Sequence, residues 1–586
     1  MPVIRIVEIS GFRGIKSLKW TPNPGINALI GPGDSCKSTI LDAIDWCLGT
    51  RRTVPVSYAD FHKMDTSSPI RIVMTIGELP DELLAIRKFG ECLKGFQTGS
   101  TDLESEPSNG FEDVIQVTLK IERDLEPQWF IVKEDGNDDE VVRFSWDARQ
   151  HVAPVRIGAS AAHHLTWRRG SALSKITEDN ISAHDVISAA LQSARAAFSG
   201  SPPSELDAAL EFATKCCNDF AVANVHAIKA GLDIDAVSAG DNSIALHDHE
   251  GVPLRRMGVG SVRLLSSALL AGVSSNPVML IDELEYGLEP HRIIRLLHAV
   301  GSKETATKRQ VFLTTHSPVA IAELAVSQIW LVRESSGVTS LVQPLPELQG
   351  TLRAYPNALL ARKVFVCEGA SEVGIMRGLD RFLNCPGNSK TLPGGLLLHG
   401  IALVDGKGSS APLNALAFTK LGFKVALLRD SDVVKKKPRD KKKWDASAAA
   451  EKEFTDNDGK VFCWDEGFHT EAAIFRYATD ENVRAMLAYI RELWDEEKVS
   501  QDVANHGNGA KIEDMERTWH ESGIPNRDRN IIGLAANKAS WFKRTDHFEK
   551  LAYDILLPSI RTNTVGEGYL YKFFVQITKW CGESAK

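Results

Sequence analysis

Three short stretches hold residue types and spacings that could do chemistry on a polyphosphate. Gly31-Pro32-Gly33-Asp34-Ser35-Cys36-Lys37-Ser38-Thr39 matches the pattern GxxxxGK[ST] except at one position. In such a loop successive backbone N–H groups converge on the phosphates, the lysine reaches the terminal phosphates and the hydroxyl holds Mg²⁺. Gly31, Lys37 and Ser38 are in place, with Asp34, Ser35 and Thr39 around them, but the glycine expected before the lysine is Cys36. A side chain must therefore fit where the backbone normally passes closest to phosphate. The second stretch, Val278-Met279-Leu280-Ile281-Asp282-Glu283-Leu284-Glu285, is an apolar run ending in carboxylates. The third, Val311 to Thr315, ends at His316-Ser317-Pro318. Buried strands often end in solvated acids, and a lone histidine is usually structural. The three together gain weight because their order is the one expected of a single nucleotide site.

A second group of residues has oxygen donors only. Lys363 to Cys367 leads to Glu368-Gly369-Ala370-Ser371-Glu372, Ile401 to Val404 leads to Asp405-Gly406, and Lys424 to Leu428 leads to Asp430-Ser431-Asp432. Asp430 and Asp432 are two apart on an extended chain and so point to the same side. Clusters of carboxylates without Cys or His suit Mg²⁺ or Mn²⁺ and not zinc. An isolated DxD is commonly a solvated strand end; a series of three acid-bearing strand ends arises far less easily by chance. After a further strand, Val461 to Trp464, come Asp465-Glu466 and then His469-Thr470-Glu471 at the start of an apolar helix.

Elements that would position these groups can be read along the chain. Ile4 to Ile9 and Ile26 to Ile30 are strand-like, and the second feeds the phosphate loop; Ile40, Leu41 and Ile44 put a helix directly after it. Ile70 to Ile76 is a strand, Glu78 to Phe96 reads as a helix, and Val114 to Glu122, Trp129 to Lys133 and Val141 to Phe144 alternate in β fashion. Residues 171–222 change to helical periodicity broken at Gly200-Ser201-Pro202-Pro203, an αα-hairpin that suits either a dimer contact or packing on its own head. Gly258-Val259-Gly260-Ser261 then opens an apolar helix, an anion site by free N–H groups and dipole.

Length and charge bound the possibilities. A chain of 586 residues divides into several domains. Nine scattered cysteines without a CxxC pair argue for reduced thiols and against structural zinc. No signal peptide or membrane-spanning run is evident, which gives an expected cytoplasmic location. A net charge of −8 excludes a generic polyanion binder, so any nucleic-acid surface is a local patch.

The order of phosphate loop, glycine-rich turn (Gly258, Gly260, Ser261), Asp282-Glu283, Gly287-Leu288-Glu289-Pro290 and His316 resembles SMC/Rad50-like ABC ATPase heads over about residues 1–350. That resemblance implies that Asp282 assists Mg²⁺, Glu283 polarises the attacking water and His316 contacts the γ-phosphate of ATP. The acid series EGxxE, DG, DxD resembles a Toprim domain, with Glu368, Glu372, Asp405, Asp430, Asp432 and Glu471 (preferred to Glu466) as metal ligands and Glu368, Asp430 and Asp432 as catalytic groups. Asn537-Lys538-Ala539-Ser540-Trp541-Phe542-Lys543-Arg544 resembles the late lysine motif of such nucleases, with Lys543 preferred to Lys538. A head followed by Toprim is similar to the OLD (overcoming lysogenization defect) family, which includes the nuclease subunit of Gabija anti-phage systems.

The fold class implied is α/β. An ABC head (1–170 and 223–350) is interrupted by a helical dimerisation segment (171–222) and followed by a Toprim nuclease domain with a C-terminal extension (351–586). The implied activity is ATP-regulated, metal-dependent DNA cleavage or nicking in anti-phage defence, with ATP and Mg²⁺ or Mn²⁺ as cofactors. Implied partners are DNA, further copies in a homodimer or homotetramer, and a helicase or other defence protein. The alternative is a nucleotide-sensing, DNA-binding ATPase scaffold without nuclease activity. A topoisomerase-like enzyme is disfavoured because no tyrosine-bearing DNA-gate segment is apparent.

The run from Lys435 to Lys443 directly follows the DxD, where a phosphate backbone would lie. Replacing Lys435, Lys436, Lys437, Lys441, Lys442 and Lys443 by serine is expected to weaken DNA binding across sequences and flatten its salt dependence. An unchanged salt slope in anisotropy titrations returns the run to a solvated loop.

Overall fold

Parallel strands buried along their whole length, mostly apolar, set the first unit. Val278–Ile281 and Gln310–Thr314 are buried along their whole length, as is Ile26–Ile30. That pattern requires cover on both faces of the sheet. In the computed structural model these strands lie side by side, with Leu280 opposite Phe312 and Leu313 opposite Ala28. Because the pairing is parallel and in step, their carboxyl ends emerge on one edge. The described residues are 2–84, 87–90, 92–99, 103–104, 109–132, 141–158, 161–167, 171–176, 204–220, 228–232, 244–272, 277–304, 309–335, 337–385, 392, 394–431, 441–465, 467–507, 509–558 and 568–583. Contacts divide the chain into two compact units, Met1–Pro344 and Leu345–Lys586.

In the first unit, Val155–Ile157 extends the parallel set beside Val278–Ile281, and Ile329–Ser335 extends it beside Ile26–Ile30. The sheet continues through Val338–Val342 and Ile15–Trp20 into the antiparallel strands Val3–Phe12, Ile70–Gly77 and Glu112–Ile121. The alternating strands Glu112–Ile121, Pro127–Val132 and Val141–Arg143 thus belong to the same continuous sheet as the parallel strands. The helix Lys37–Leu48 packs Ile40, Leu41, Ile44, Cys47 and Leu48 into the core, each without exposed surface. At roughly 1.5–3 kcal/mol per buried aliphatic side chain, this face holds the phosphate loop's helix to the sheet.

One local expectation is corrected. Glu78 to Phe96 is not one helix: Asp81–Leu84 and Arg87–Gly90 are helical, but Lys94–Phe96 is a strand paired with Glu112–Ile121. Pro80 and Gly90 punctuate the run, and burying Phe96 on the sheet outweighs a weak helical period. Ile4 to Ile9 is part of a longer strand, Val3–Phe12, and a second strand, Ile15–Trp20, lies between it and Ile26–Ile30. Most of the helical segment 171–222 lies outside the described residues. Its described helix Asp207–Asp219 packs on the head's own helix Val259–Gly272, where a side chain at Gly272 would strike the Phe212 ring.

The second unit has a parallel sheet in the order Ile401–Asp405, Lys363–Cys367, Lys424–Arg429, Lys460–Cys463. The first strand in sequence is second in space, so the order reverses between Lys363–Cys367 and Lys424–Arg429. Crossover helices leave a crevice at such a reversal, at the carboxyl ends of the strands. Ala370–Asn384 leaves this crevice and packs against Thr545–Leu551, while Thr470–Tyr477 packs against Asn526–Lys538. The second contact is close because Gly533 lies on Ala472, where a Cβ would come within 2.7 Å of the Ala472 Cα. Beneath the sheet, Trp464 stacks on Phe573 at 4.1 Å. Among the described residues no helix is long and apolar enough to cross a membrane.

Candidate functional site

The phosphate loop leaves Ile30 through Gly31, where a Cβ would sit 2.8 Å from Ser35 Oγ and 3.0 Å from the Val332 carbonyl. Asp34 and Cys36 both take left-handed backbone, with φ of 60° and 64°. Cys36 immediately precedes the helix Lys37–Leu48, so the cysteine occupies a conformation that glycine adopts freely and other residues at a cost of about 1–2 kcal/mol. Its Sγ lies over Gly14, where an added Cβ would be 2.5 Å away. Gly14 thus makes the room that Cys36 needs. Burial, then Glu334, raises the thiol above its usual range, so it is not an activated thiolate.

Lys37 folds back over its own loop, donating to the carbonyls of Gly31 (3.1 Å) and Pro32 (2.6 Å) and to Ser35 Oγ (3.0 Å). Burial lowers its pKa, against the opposing pull of Asp34, Cys36, Asp282 and Glu285. Ser38 Oγ donates to Asp282 Oδ1 at 2.9 Å, and Thr314 Oγ1 donates to the same oxygen at 2.8 Å. Thr39 follows in the helix's first turn. The hydroxyl–carboxylate pair Ser38–Asp282 is an oxygen donor set suited to Mg²⁺. The loop amides and Lys37 suit the phosphates of a nucleotide.

Glu283 is exposed at φ 48°, and its backbone N–H donates to Thr314 Oγ1 at 2.7 Å. His316 is exposed after the neighbouring strand. Burial and the nearby Lys37 ammonium lower its pKa, opposed by Glu285 and Glu283, so the imidazole is held neutral. Lys37, Ser38, Asp282, Glu283 and His316 are therefore brought to one edge. The glycine-rich turn is placed otherwise. Gly260 abuts Gly287, where a Cβ would be 2.0 Å from the carbonyl, and Ser261 Oγ accepts from Arg292 Nη1 at 3.1 Å. Among the described residues no recorded bond joins Gly258, Gly260 or Ser261 to the chain's own phosphate loop.

Sequence reasoning missed Arg156. On the edge strand Val155–Ile157 it faces Asp282 Oδ2 at 3.3 Å and Asp45 at 3.5 Å, and it bonds Asp42, which also holds Arg13. No motif spacing announces it, since the contacts join residues far apart in the chain. Glu285 was visible in the carboxylate run, but its contacts to Thr315 and His316 were not.

In the second unit, Glu368, Glu372, Asp430 and Glu471 converge at the strand-order reversal. Glu368 Oε2 accepts the Asp430 backbone N–H at 2.9 Å. Thr470 Oγ1 bridges Glu372 Oε1 and Asp430 Oδ1, the latter at 2.7 Å, and accepts from Trp464 Nε1 at 2.8 Å. One hydroxyl proton cannot serve two carboxylates. A proton on Glu372 satisfies every contact, with Glu372 donating to Oγ1 and Oγ1 donating to Asp430. Burial, then Asp430, pushes the Glu372 carboxyl up to about 8. Glu471 accepts from Ser371 Oγ (2.9 Å) and Asn537 Nδ2 (3.0 Å).

Asp405 ends the adjacent strand and accepts the Lys407 N–H at 2.8 Å. Asp432, Glu466 and Lys435 to Lys437 lie outside the described residues. Lys543 and Lys538 are exposed, and neither side chain makes a recorded bond to the acids. Asn537 makes that reach instead. The carboxylates suit Mg²⁺ or Mn²⁺, with one nitrogen nearby, His469 Nδ1, at 3.3 Å from Asp430 Oδ2. Among the described residues, however, no three are arranged to hold a metal ion.

The family model described as "AAA domain, putative AbiEii toxin, Type IV TA system" matches residues 26–322. No curated protein matches. Among solved structures, the Smc head bound to the C-winged helix domain of ScpA is 15% identical, covering 58% of this chain and 97% of that one, with a TM-score of 0.37. The SMC head domain from Thermotoga maritima is 15% identical over 58% and 98%, with a TM-score of 0.30. The Smc head domain with an extended coiled coil bound to the C-terminal domain of ScpA, derived from Pyrococcus furiosus, is 14% identical over 58% and 96%, at 0.33.

Two outcomes are expected from this geometry. Cys36→Gly relieves the left-handed strain and is expected to raise ATP turnover with little change in nucleotide affinity; equal turnover in both proteins shows that the cysteine is tolerated without cost. For Glu372, the folded carboxyl holds its proton up to about pH 8 while the unfolded one releases it near 4.5. The folded state thus binds more protons between these values, so stability is greatest at the acid end and falls as pH rises. The slope is up to about 1.4 kcal/mol per pH unit. Urea unfolding in EDTA should show this decline, and Glu372→Gln should flatten it.

Proposed function

The chain belongs to the AAA-domain family described as putative AbiEii toxin of type IV toxin–antitoxin systems, and from that premise we propose that it is an ATP-regulated, metal-dependent DNA endonuclease or nickase of the OLD type. Its first unit is an ATP-binding, ATPase-type head. There the loop amides and Lys37 bind the phosphates, Ser38 and Asp282 would hold Mg²⁺, Glu283 orients water and His316 faces the terminal phosphate. The glycine-rich turn sits against Gly287, away from its own loop's contacts. This supports a homodimer, or a homotetramer built from such pairs, in which the turn of one copy completes the site of another.

The observation that carries the nuclease half is the convergence of Glu368, Glu372, Asp430 and Glu471 at the reversal of strand order. Four acids gathered where an open α/β sheet binds ligands cost repulsion, which a divalent cation would relieve. In a Toprim-like site Asp405 and Asp432 would complete the ligand set, and Lys543 would contact the phosphate in flight. A bound ion supplies an activated water and charge neutralisation at the leaving oxygen. Thr470 and Asn537 hold Asp430 and Glu471 in register, and the lysine-rich run tracks the DNA backbone. A role in anti-phage defence beside a helicase or other defence protein follows from the OLD resemblance.

The alternative, a nucleotide-sensing DNA-binding scaffold, draws on the absence of a three-ligand metal group among the described residues. Supercoiled and linear DNA incubated with Mg²⁺ or Mn²⁺, with and without ATP, separates the two. Cleavage is expected in the parent, with a loss of orders of magnitude in Glu368→Ala and in Asp430→Ala. Binding without cleavage under all conditions, or cutting by both variants at the parent rate, favours the scaffold.

A further inference from the structure

Glu285 lies two residues beyond Glu283, and the five groups assigned to phosphate, metal and water make no use of it. Both of its carboxylate oxygens are committed: Oε2 accepts from Thr315 Oγ1 at 2.6 Å, and Oε1 accepts the backbone N–H of His316 at 2.7 Å. These are short, charge-assisted bonds. Thr315 is completely buried, and its Oγ1 also accepts the Ser317 N–H at 3.0 Å, at the start of the helix Pro318–Glu323. On the other side, the Leu284 N–H donates to the Thr314 carbonyl at 2.9 Å, so the two turns are sewn together by backbone as well. Glu283, by contrast, takes no hydrogen bond or ion pair through its carboxylate among the described residues. Two acids in one turn therefore divide their work: one is committed to the frame, the other is available to the solvent side.

We propose that Glu285 is a positioning residue of the nucleotide site, fixing the main chain of His316 to the Asp282–Glu283 turn so that the imidazole and Glu283 are held in one constellation. The inference rests on the reading of the first unit as an ATP-hydrolysing head. A histidine at the end of a strand has a mobile backbone unless its N–H is anchored. A displacement of about 1 Å at a phosphoryl-transfer site costs on the order of a hundredfold in rate while sparing ground-state binding. Glutamine at 285 keeps the shape but removes the charge and one acceptor: its amide oxygen can still accept the His316 N–H, while its NH2 can only donate toward Thr315 Oγ1. Alanine removes the bonds themselves.

The test uses the full chain with Glu285→Gln, Glu285→Ala, Thr315→Val and the double variant Glu285→Ala/Thr315→Val. Expected results are nucleotide Kd values within about twofold of the parent, turnover reduced by about tenfold or more in Glu285→Ala, and a smaller loss in Glu285→Gln. In the double variant the two losses are expected to add less than fully, because both changes break the Glu285–Thr315 bond, while Thr315→Val also removes the acceptor of the Ser317 N–H. Independently of turnover, the His316 ring Cε1–H signal in ¹³C-edited NMR should move or broaden in Glu285→Ala while signals of histidines in the second unit stay in place. An unmoved His316 signal, or turnover equal to the parent, overturns the proposal. A parent that binds but does not hydrolyse ATP overturns the ATPase reading instead, and the NMR comparison then still decides whether Glu285 fixes His316.

Discussion

A single carboxylate ties the nucleotide site together. Asp282 accepts on Oδ1 from Ser38, at the head of the phosphate-loop helix, and from Thr314, at the end of the neighbouring strand. Its other oxygen faces Arg156 on the edge strand. Three elements distant in sequence are thus fixed by one acid with no freedom left to rotate. The arrangement depends on parallel strands being in step, since a shift by one residue would turn Asp282 to the opposite face of the sheet. Arg156 adds a charge balance: with Asp42, Asp45 and Asp282 around it, and Arg13 beyond Asp42, it keeps closely spaced acids from repelling one another.

The second unit handles crowded acids differently. Arg429 donates only to the Asp430 main-chain carbonyl, His469 Nδ1 lies 3.3 Å from Asp430 Oδ2, and the neutral donors Thr470, Ser371 and Asn537 hold the carboxylates of Glu372, Asp430 and Glu471. Proton sharing through Thr470 links Glu372 to Asp430. Such a site has a standing demand for positive charge, whereas the head's Asp282 already has a permanent cation beside it. This difference in electrostatic design, more than any similarity of sheet topology, separates the two candidate centres.

Three strained positions lie at the nucleotide site. Asp34, Cys36 and Glu283 all have positive φ without being glycine, each within the groups that would surround a nucleotide. Strained conformations persist only where the surroundings over-determine them. Here the surroundings are visible: Gly14 opposite the Cys36 sulfur, and Thr314 on the Glu283 N–H.

The sequence by itself was sufficient for the buried parallel strands, the phosphate loop, the acids at strand ends and the location of Lys37, Ser38, Asp282, Glu283 and His316. Those features are local: an unbroken apolar run, or a fixed spacing of glycine, lysine and hydroxyl, is written in neighbouring residues. The continuous sheet, the broken run from Glu78 to Phe96, and the partners Arg156, Glu285, Thr470 and Asn537 were decided only by tertiary structure. Their contacts close loops of tens to hundreds of residues, and no local periodicity records which side chain will meet which across such a distance. Asn537 illustrates the point best: lysine chemistry drew attention to Lys543 and Lys538, yet the close packing of Gly533 on Ala472 is what carries the amide, and not an ammonium, to Glu471.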